Sequence, residues 1–219
     1  PDCKTNSIDC MFIYLRPQIL AIIILGFASG LPLSLTASTL TAMLTDYGIN
    51  VKTIGLFALV ALPYAYKYLW SPLVDNIRIP FLGKMLGRRK SWLFVIQILL
   101  TIVIAACGVV NPNKYIELFA LLCFLLAFLS ATQDIIIDAL RIEMIETEEQ
   151  GAGATAVIIG YRIGMLASGA GALYLSHFFG WTVTYIVISI LLIPGIIVGQ
   201  LCREPKVISV KIPGTFKDF

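Results

Sequence analysis

Two carboxylates, Asp134 and Asp138, stand four residues apart in ATQDIIIDALRIE (131–143), a segment that is otherwise almost wholly apolar up to Arg141. At that spacing they share one face of a helix, with Arg141 three residues further on. Two bases, Lys67 in YAYKYLW (64–70) and Arg162 in GYRIGML (160–166), are likewise set inside apolar runs. An uncompensated charge at the centre of a membrane helix costs about 2.5–3.5 kcal/mol on the insertion scale, so four in lipid would cost about 10–14 kcal/mol. That rivals the whole stability of a typical protein, about 5–15 kcal/mol. The four therefore face one another or water, and together they sum to zero charge. Such a set can be a static ion-pair network that locks helices together, or a polar pathway in which a carboxylate gains and loses a proton. Counted from the same membrane face, Asp134 lies eight residues above Ile142 and Arg162 ten above Ala152, so an Asp134–Arg162 pair is reachable in depth. Gln133, Tyr161 and Tyr64 lie deep enough to join the same pathway.

Paired carboxylates also suit magnesium, but an enzyme of that kind brings further acids close by. Here Glu143, Glu146, Glu148 and Glu149 read as a solvated loop that adds favourable charge at the next helix's N-terminus. His177, the sole histidine, has no neighbouring ligand type and reads as a surface residue. No metal, no cofactor and no enzymatic activity are expected.

The medium follows from composition. The 219 residues are 58% hydrophobic and 13% charged, with mean hydropathy +0.90, whereas soluble domains are about 45–50% apolar and about 25% charged. The chain is expected to be an all-α integral membrane protein with the lipid bilayer as its surroundings. Its net charge of +3 arises from Lys and Arg gathered in loops rather than on a helix face, which argues against a nucleic-acid partner. Cys3, Cys10, Cys107, Cys123 and Cys202 show no C-x-x-C spacing and read as thiols.

Crossing a bilayer core takes about 20 helical residues. The apolar runs predict six transmembrane helices near 17–45, 51–74, 91–111, 115–142, 152–176 and 181–201, too long and continuous for barrel strands. The run opening at 17 follows no small-residue cleavage site and reads as a span that stays. Residues 1–16 read as a cytoplasmic segment, 17–203 as the six-helix domain, and 204–219 as the start of a cytoplasmic linker. Twelve of the 16 Lys and Arg fall on one side of this topology and only Lys52 and Lys114 on the other. The positive-inside rule then puts both termini in the cytoplasm.

The spans are not equivalent. The third and sixth carry no ionisable residue, the second, fourth and fifth carry the charges, and the first carries Ser29, Ser34, Thr36, Ser38, Thr39 and Thr41. This division predicts that the first, second, fourth and fifth surround water while the third and sixth face lipid. Gly26 and Gly30 in the first span, and Gly160 and Gly164 in the fifth, predict close helix packing. Pro32 and Pro63 predict kinks.

Between the second and third spans runs DNIRIPFLGKMLGRRK (75–90). It resembles the loop of the major facilitator superfamily in which an acid and a Gly-Arg-Arg/Lys cluster latch the cytoplasmic side. The resemblance assigns that role to Asp75 and to Gly87, Arg88, Arg89 and Lys90, across an insertion longer than usual. Four further segments, LGFASGLPLSLTASTL (25–40), KTIGLFALVALPYAYKYLWSPLVD (52–75), ATQDIIIDALRIE and GAGATAVIIGYRIGMLASGAGALYL (151–175), are similar to those of the AmpG muropeptide permease family of Gram-negative bacteria. The likeness covers about residues 17–205. It implies the N-terminal six-helix half of a major facilitator fold in the bacterial inner membrane. It further implies proton-driven import of anhydro-muropeptides for cell-wall recycling, with Asp134 and Asp138 in the cavity. Facilitators hold substrate between two six-helix halves. The chain is therefore expected to be a fragment, a truncated homologue, or a half that pairs with another. Acetyl-CoA transporters, which resemble the same family, and a non-transporting membrane scaffold are the alternatives.

Overall fold

The computed structural model describes residues 16–77, 79 and 86–202. The expected N-terminal segment before Arg16 and the linker at 204–219 lie outside them. Among the described residues all regular structure is helical. Four helical stretches are long and apolar enough to cross a membrane: Pro17–Asp46, Arg88–Val109, Ile116–Met144 and Gln150–Leu201. With its broad apolar exterior, which includes Leu99, Ile102, Leu121, Phe124, Ile186 and Ile197, the chain is a membrane-embedded protein.

The first stretch is α1 (Pro17–Thr36) followed by α2 (Ser38–Asp46). Pro32 lies within α1 without ending it, and the break comes five residues later at Ala37, whose φ/ψ of −119°/−102° leaves the helical region. The segment expected as a single span at 51–74 is instead a series of short pieces: α3 (Val51–Leu56), a 3₁₀ turn Phe57–Ala61, α4 (Leu62–Tyr66), a 3₁₀ turn Lys67–Leu69 and α5 (Ser71–Asn76). Pro63 and Pro72 explain the alternation. Each lacks an N–H, and its ring crowds the carbonyl four residues back. Those carbonyls belong to Leu59 and Tyr68, one in each 3₁₀ turn.

α6 (Arg88–Val109) and α7 (Ile116–Met144) pack against each other, and a short turn, Thr147–Glu149, leads to α8 (Gln150–Leu166). A π-turn at Ala167–Gly171 joins α8 to α9 (Ala172–Ile190), and α10 (Ile193–Leu201) ends the described chain. Inside α9, Gly180 takes φ 77°, a left-handed conformation that breaks the helix there. Six separate crossings are thus not delimited by helix length alone. One predicted span is fragmented, and two others run on continuously apart from the break at Gly180.

α1 is the hub, packed against α8, α7 and α10. Its contact with α8 is a backbone contact. A Cβ on Gly26 would stand 2.5 Å from the Val157 carbonyl oxygen, and one on Gly30 would collide with the Tyr161 carbonyl. Reciprocally, Gly160 faces the Ile23 carbonyl and Gly164 that of Phe27. Only glycine permits this approach, which is the physical content of the small-residue spacing in both helices. The main core, formed by Leu25, Leu31, Leu93, Leu100, Phe119 and Tyr185 among others, lies on the opposite side of α1, toward α6, α7 and α9.

Candidate functional site

Where α1, α7 and α8 meet the broken 51–76 segment there is a cavity of about 530 Å³. It is lined by Ser29 and Leu33 of α1, by Lys67 of the broken segment, by Asp134, Ile137 and Asp138 of α7, and by Val157, Ile158, Tyr161, Arg162 and Met165 of α8. The structure therefore brings together Lys67, Asp134, Asp138, Tyr161 and Arg162, which lie up to 95 residues apart in sequence. No residue of α6, α9 or α10 reaches the cavity.

Each element contributes for a local reason. Asp134 and Asp138 project from consecutive turns of the long, unbroken α7. Lys67 begins a 3₁₀ turn, so its presentation depends on the proline-broken backbone rather than on a regular helix. Tyr161 and Arg162 sit on α8 between Gly160 and Gly164, the residues that let α8 lie against α1. Asp134 and Lys67 are partly buried, whereas Asp138 and Arg162 are exposed along the cavity's open flank.

The expected Asp134–Arg162 tie is not what the structure contains. No ion pair within 4 Å joins Asp134 or Asp138 to Lys67 or Arg162 among the described residues. Asp134 instead accepts a hydrogen bond from the Ser29 hydroxyl. Equal depth does not settle lateral position: α1 lies beside both α7 and α8, and its serine reaches the carboxylate while the two bases stand across the cavity. In the sequence Ser29 is one of several hydroxyls along the first span, with no signal marking it out from the others.

Two residues expected on the pathway do not line the cavity. Gln133 is fully buried, and both of its amide atoms lack a hydrogen-bond partner. Tyr64 is half-buried beside Ser130 and Thr36, with its hydroxyl unpartnered.

Two further hydroxyls, one on α1 and one on α2, meet the chain around the π-turn. Ser34 Oγ donates to the Met165 carbonyl at 3.1 Å and Thr39 Oγ1 to the Ser168 carbonyl at 2.7 Å. A π-turn disturbs the regular i to i−4 ladder, and side-chain donors from a neighbouring helix stabilise the carbonyls there.

At the end of the bundle marked by Arg16 and Met144, charges pair. Arg89 lies 2.7 Å from Glu143 and 3.9 Å from Asp75. Glu143 thus belongs to α7 and an ion pair rather than to a solvated loop. Glu149, placed in the same loop by sequence, pairs with Arg16. The basic cluster is divided in its contacts. Gly87 starts α6 with φ 88°, the Arg88 carbonyl accepts from Ser91, and Lys90 Nζ donates to the Gln200 carbonyl at 2.7 Å, tying α6 to α10. His177 is exposed and stacks edge-on against Phe178 at 5.0 Å.

The family model described as acetyl-coenzyme A transporter 1 matches residues 18–119. The anhydromuropeptide permease of Escherichia coli K12 is 46% identical over 194 residues, 88% of this chain and 39% of that protein. A Rickettsia conorii protein named as transporter AmpG 4 is 42% identical over 197 residues, 89% of this chain and 47% of that one. The chain thus spans less than half the length of these relatives. All are named as transporters or permeases rather than enzymes. Over nearly nine-tenths of its length the chain is similar to proteins named as AmpG permeases.

Proposed function

We propose that the protein takes part in proton-driven import of anhydro-muropeptides across the bacterial inner membrane, as one half of an alternating-access transporter. The observation that carries this reading is a cavity lined by two acids and two bases in a chain 46% identical to an anhydromuropeptide permease. In this reading the described helices form six crossings within 17–203, with both ends in the cytoplasm. A second six-helix half, in the same or another chain, closes the flank where Asp138 and Arg162 are exposed.

The cavity then works as follows. Lys67, Arg162 and Tyr161 bind the peptide carboxylate and sugar hydroxyls of the substrate. In the outward-open state Asp134 or Asp138 takes a proton from the more acidic side. The neutral acid loses its attraction to Lys67 and Arg162 across the cavity, and the two-state equilibrium shifts by that difference in interaction energy. At the other end Arg89, held between Asp75 and Glu143, latches the cytoplasmic side.

The test is uptake of labelled anhydro-muropeptide by cells that lack their own permease and express this protein. Uptake is expected to collapse with a protonophore and to fall in both Asp134→Asn and Asp138→Asn. Normal proton-dependent uptake in both variants would discard the carboxylates' coupling role and leave them a static part of the helix packing. The match to the acetyl-coenzyme A transporter model favours a second reading, a coenzyme A thioester as cargo. Uptake of labelled acetyl-CoA by the same cells, with none of labelled anhydro-muropeptide, would select it.

A further inference from the structure

The charged cavity does not account for all the polar atoms buried around it. Tyr64 Oη faces Ser130 and Thr36, yet neither Tyr64 Oη nor Ser130 Oγ completes a hydrogen bond, and Gln133 Oε1 and Nε2 are equally unpartnered. Thr36 donates its hydroxyl proton to the Leu33 carbonyl at 2.9 Å, so its oxygen remains available as an acceptor. Ser130 and Gln133 are 1% and 0% exposed, and buried polar atoms in native proteins are almost always satisfied by protein or by water. Together these side chains offer the several donors and acceptors that an internal water requires.

Their placement has a direction. Ser130, Gln133 and Asp134 occupy neighbouring positions on one stripe of α7, with Ser130 about 6 Å from Asp134 toward the Ile116 end. Asp134 is faced by Ser29 from α1, by Lys67 and Tyr64 from the broken segment, by Asp138 from its own helix, and by Tyr161 and Arg162 from α8. A hydronium entering through the cavity passes the positive charges of Lys67 and Arg162. On the other side the groups named, Tyr64, Ser130 and Thr36, are uncharged.

We infer that Tyr64, Ser130 and Gln133 hold a short file of internal water that continues from Asp134 toward the level of Thr36 and delivers protons to that carboxylate. The ligand is water. The step is a transfer from hydronium to an Asp134 carboxylate oxygen, leaving a neutral carboxyl and a water molecule. Substrate and proton then reach the same group from different sides. This inference rests on the proton-coupled reading of the cavity.

The test is infrared spectroscopy of the protein in lipid vesicles, following the Asp134 carboxyl C=O band, assigned by its loss in Asp134→Asn, after transfer to heavy water. In Tyr64→Phe combined with Ser130→Ala, exchange is expected to slow by about a hundredfold or more, the lower end of what a positioned proton-transfer group supplies. Restoring a hydroxyl with Tyr64→Phe combined with Ser130→Thr recovers part of the rate. An unchanged exchange rate in the Tyr64→Phe, Ser130→Ala protein would overturn the water file while leaving the cavity's coupling role intact. Absence of any Asp134 carboxyl band in the wild-type protein at every pH would overturn both, and so separates the two failures.

Discussion

Adding one methyl group at Gly160 should separate two helices. The new Cβ would lie 2.9 Å from both the Ile23 carbonyl carbon and the Phe27 nitrogen and would collide with the Ile23 carbonyl oxygen. All three are backbone atoms, so no rotamer change relieves the clash, and α1 must move away from α8. Overpacking of this kind costs about 1–3 kcal/mol. Against it stands the gain from replacing glycine within a helix, about 0.8–1.0 kcal/mol. The net expectation for Gly160→Ala is a loss of about 0–2 kcal/mol, accompanied by a widening of the contact that positions Tyr161 and Arg162. Gly151→Ala is the internal control. It lies near the start of the same helix with nothing within 4 Å of its would-be Cβ, so only the propensity gain operates and the variant should be stabilised. Denaturant titration of the detergent-solubilised protein, read by labelling of the buried Cys107 and Cys123 thiols, gives both midpoints. A Gly160→Ala midpoint equal to or above that of Gly151→Ala would refute backbone contact between α1 and α8.

Arg89→Ala should lower the same midpoint by no more than about 1 kcal/mol, because the carboxylates it meets are partly exposed. Adding Glu143→Gln to it should cost little more, since the pair is already lost, and full additivity in the double-mutant cycle would count against the pairing. Thr39→Val should cost about 0.6 kcal/mol, up to about 1.7, by stripping the hydroxyl from the Ser168 carbonyl at the π-turn, whereas Thr39→Ser should keep most of that stability. Asp46→Asn retains an acceptor for Trp181 Nε1, 3.0 Å away, and is expected to be milder than Asp46→Ala by titration of the Trp fluorescence.

Much of this arrangement could be read from residue order, and the parts that could not have identifiable physical causes. Apolar runs locate the helices because lipid demands internally satisfied backbone over about 20 residues. Gly26, Gly30, Gly160 and Gly164 stand at intervals of four, so their common face was legible without knowing which helices would meet. The fragmentation of 51–76 was only half legible. Pro63 signalled a kink, but Pro72 repeats the insult within three turns, and the two together replace regular helix by alternating 3₁₀ pieces. Charge balance brought Lys67, Asp134, Asp138 and Arg162 to one cavity on energetic grounds, yet depth along a helix carries no information about azimuth. The Ser29 to Asp134 hydrogen bond was therefore invisible. The same holds for Arg89 with Glu143 and Lys90 with Gln200, contacts across helices whose relative rotation no local pattern encodes.

The claim that the charged cavity couples protons to substrate is tested most directly by proton movement itself. Membrane vesicles from cells expressing the protein from its own locus are given a pulse of anhydro-muropeptide in lightly buffered medium, and the external pH is followed. Wild-type vesicles should show a transient alkalinisation as protons enter with substrate, and Asp134→Asn should abolish or sharply reduce it. Substrate entry without any proton movement, or an undiminished pH transient in both Asp134→Asn and Asp138→Asn, would contradict the coupling role of the cavity.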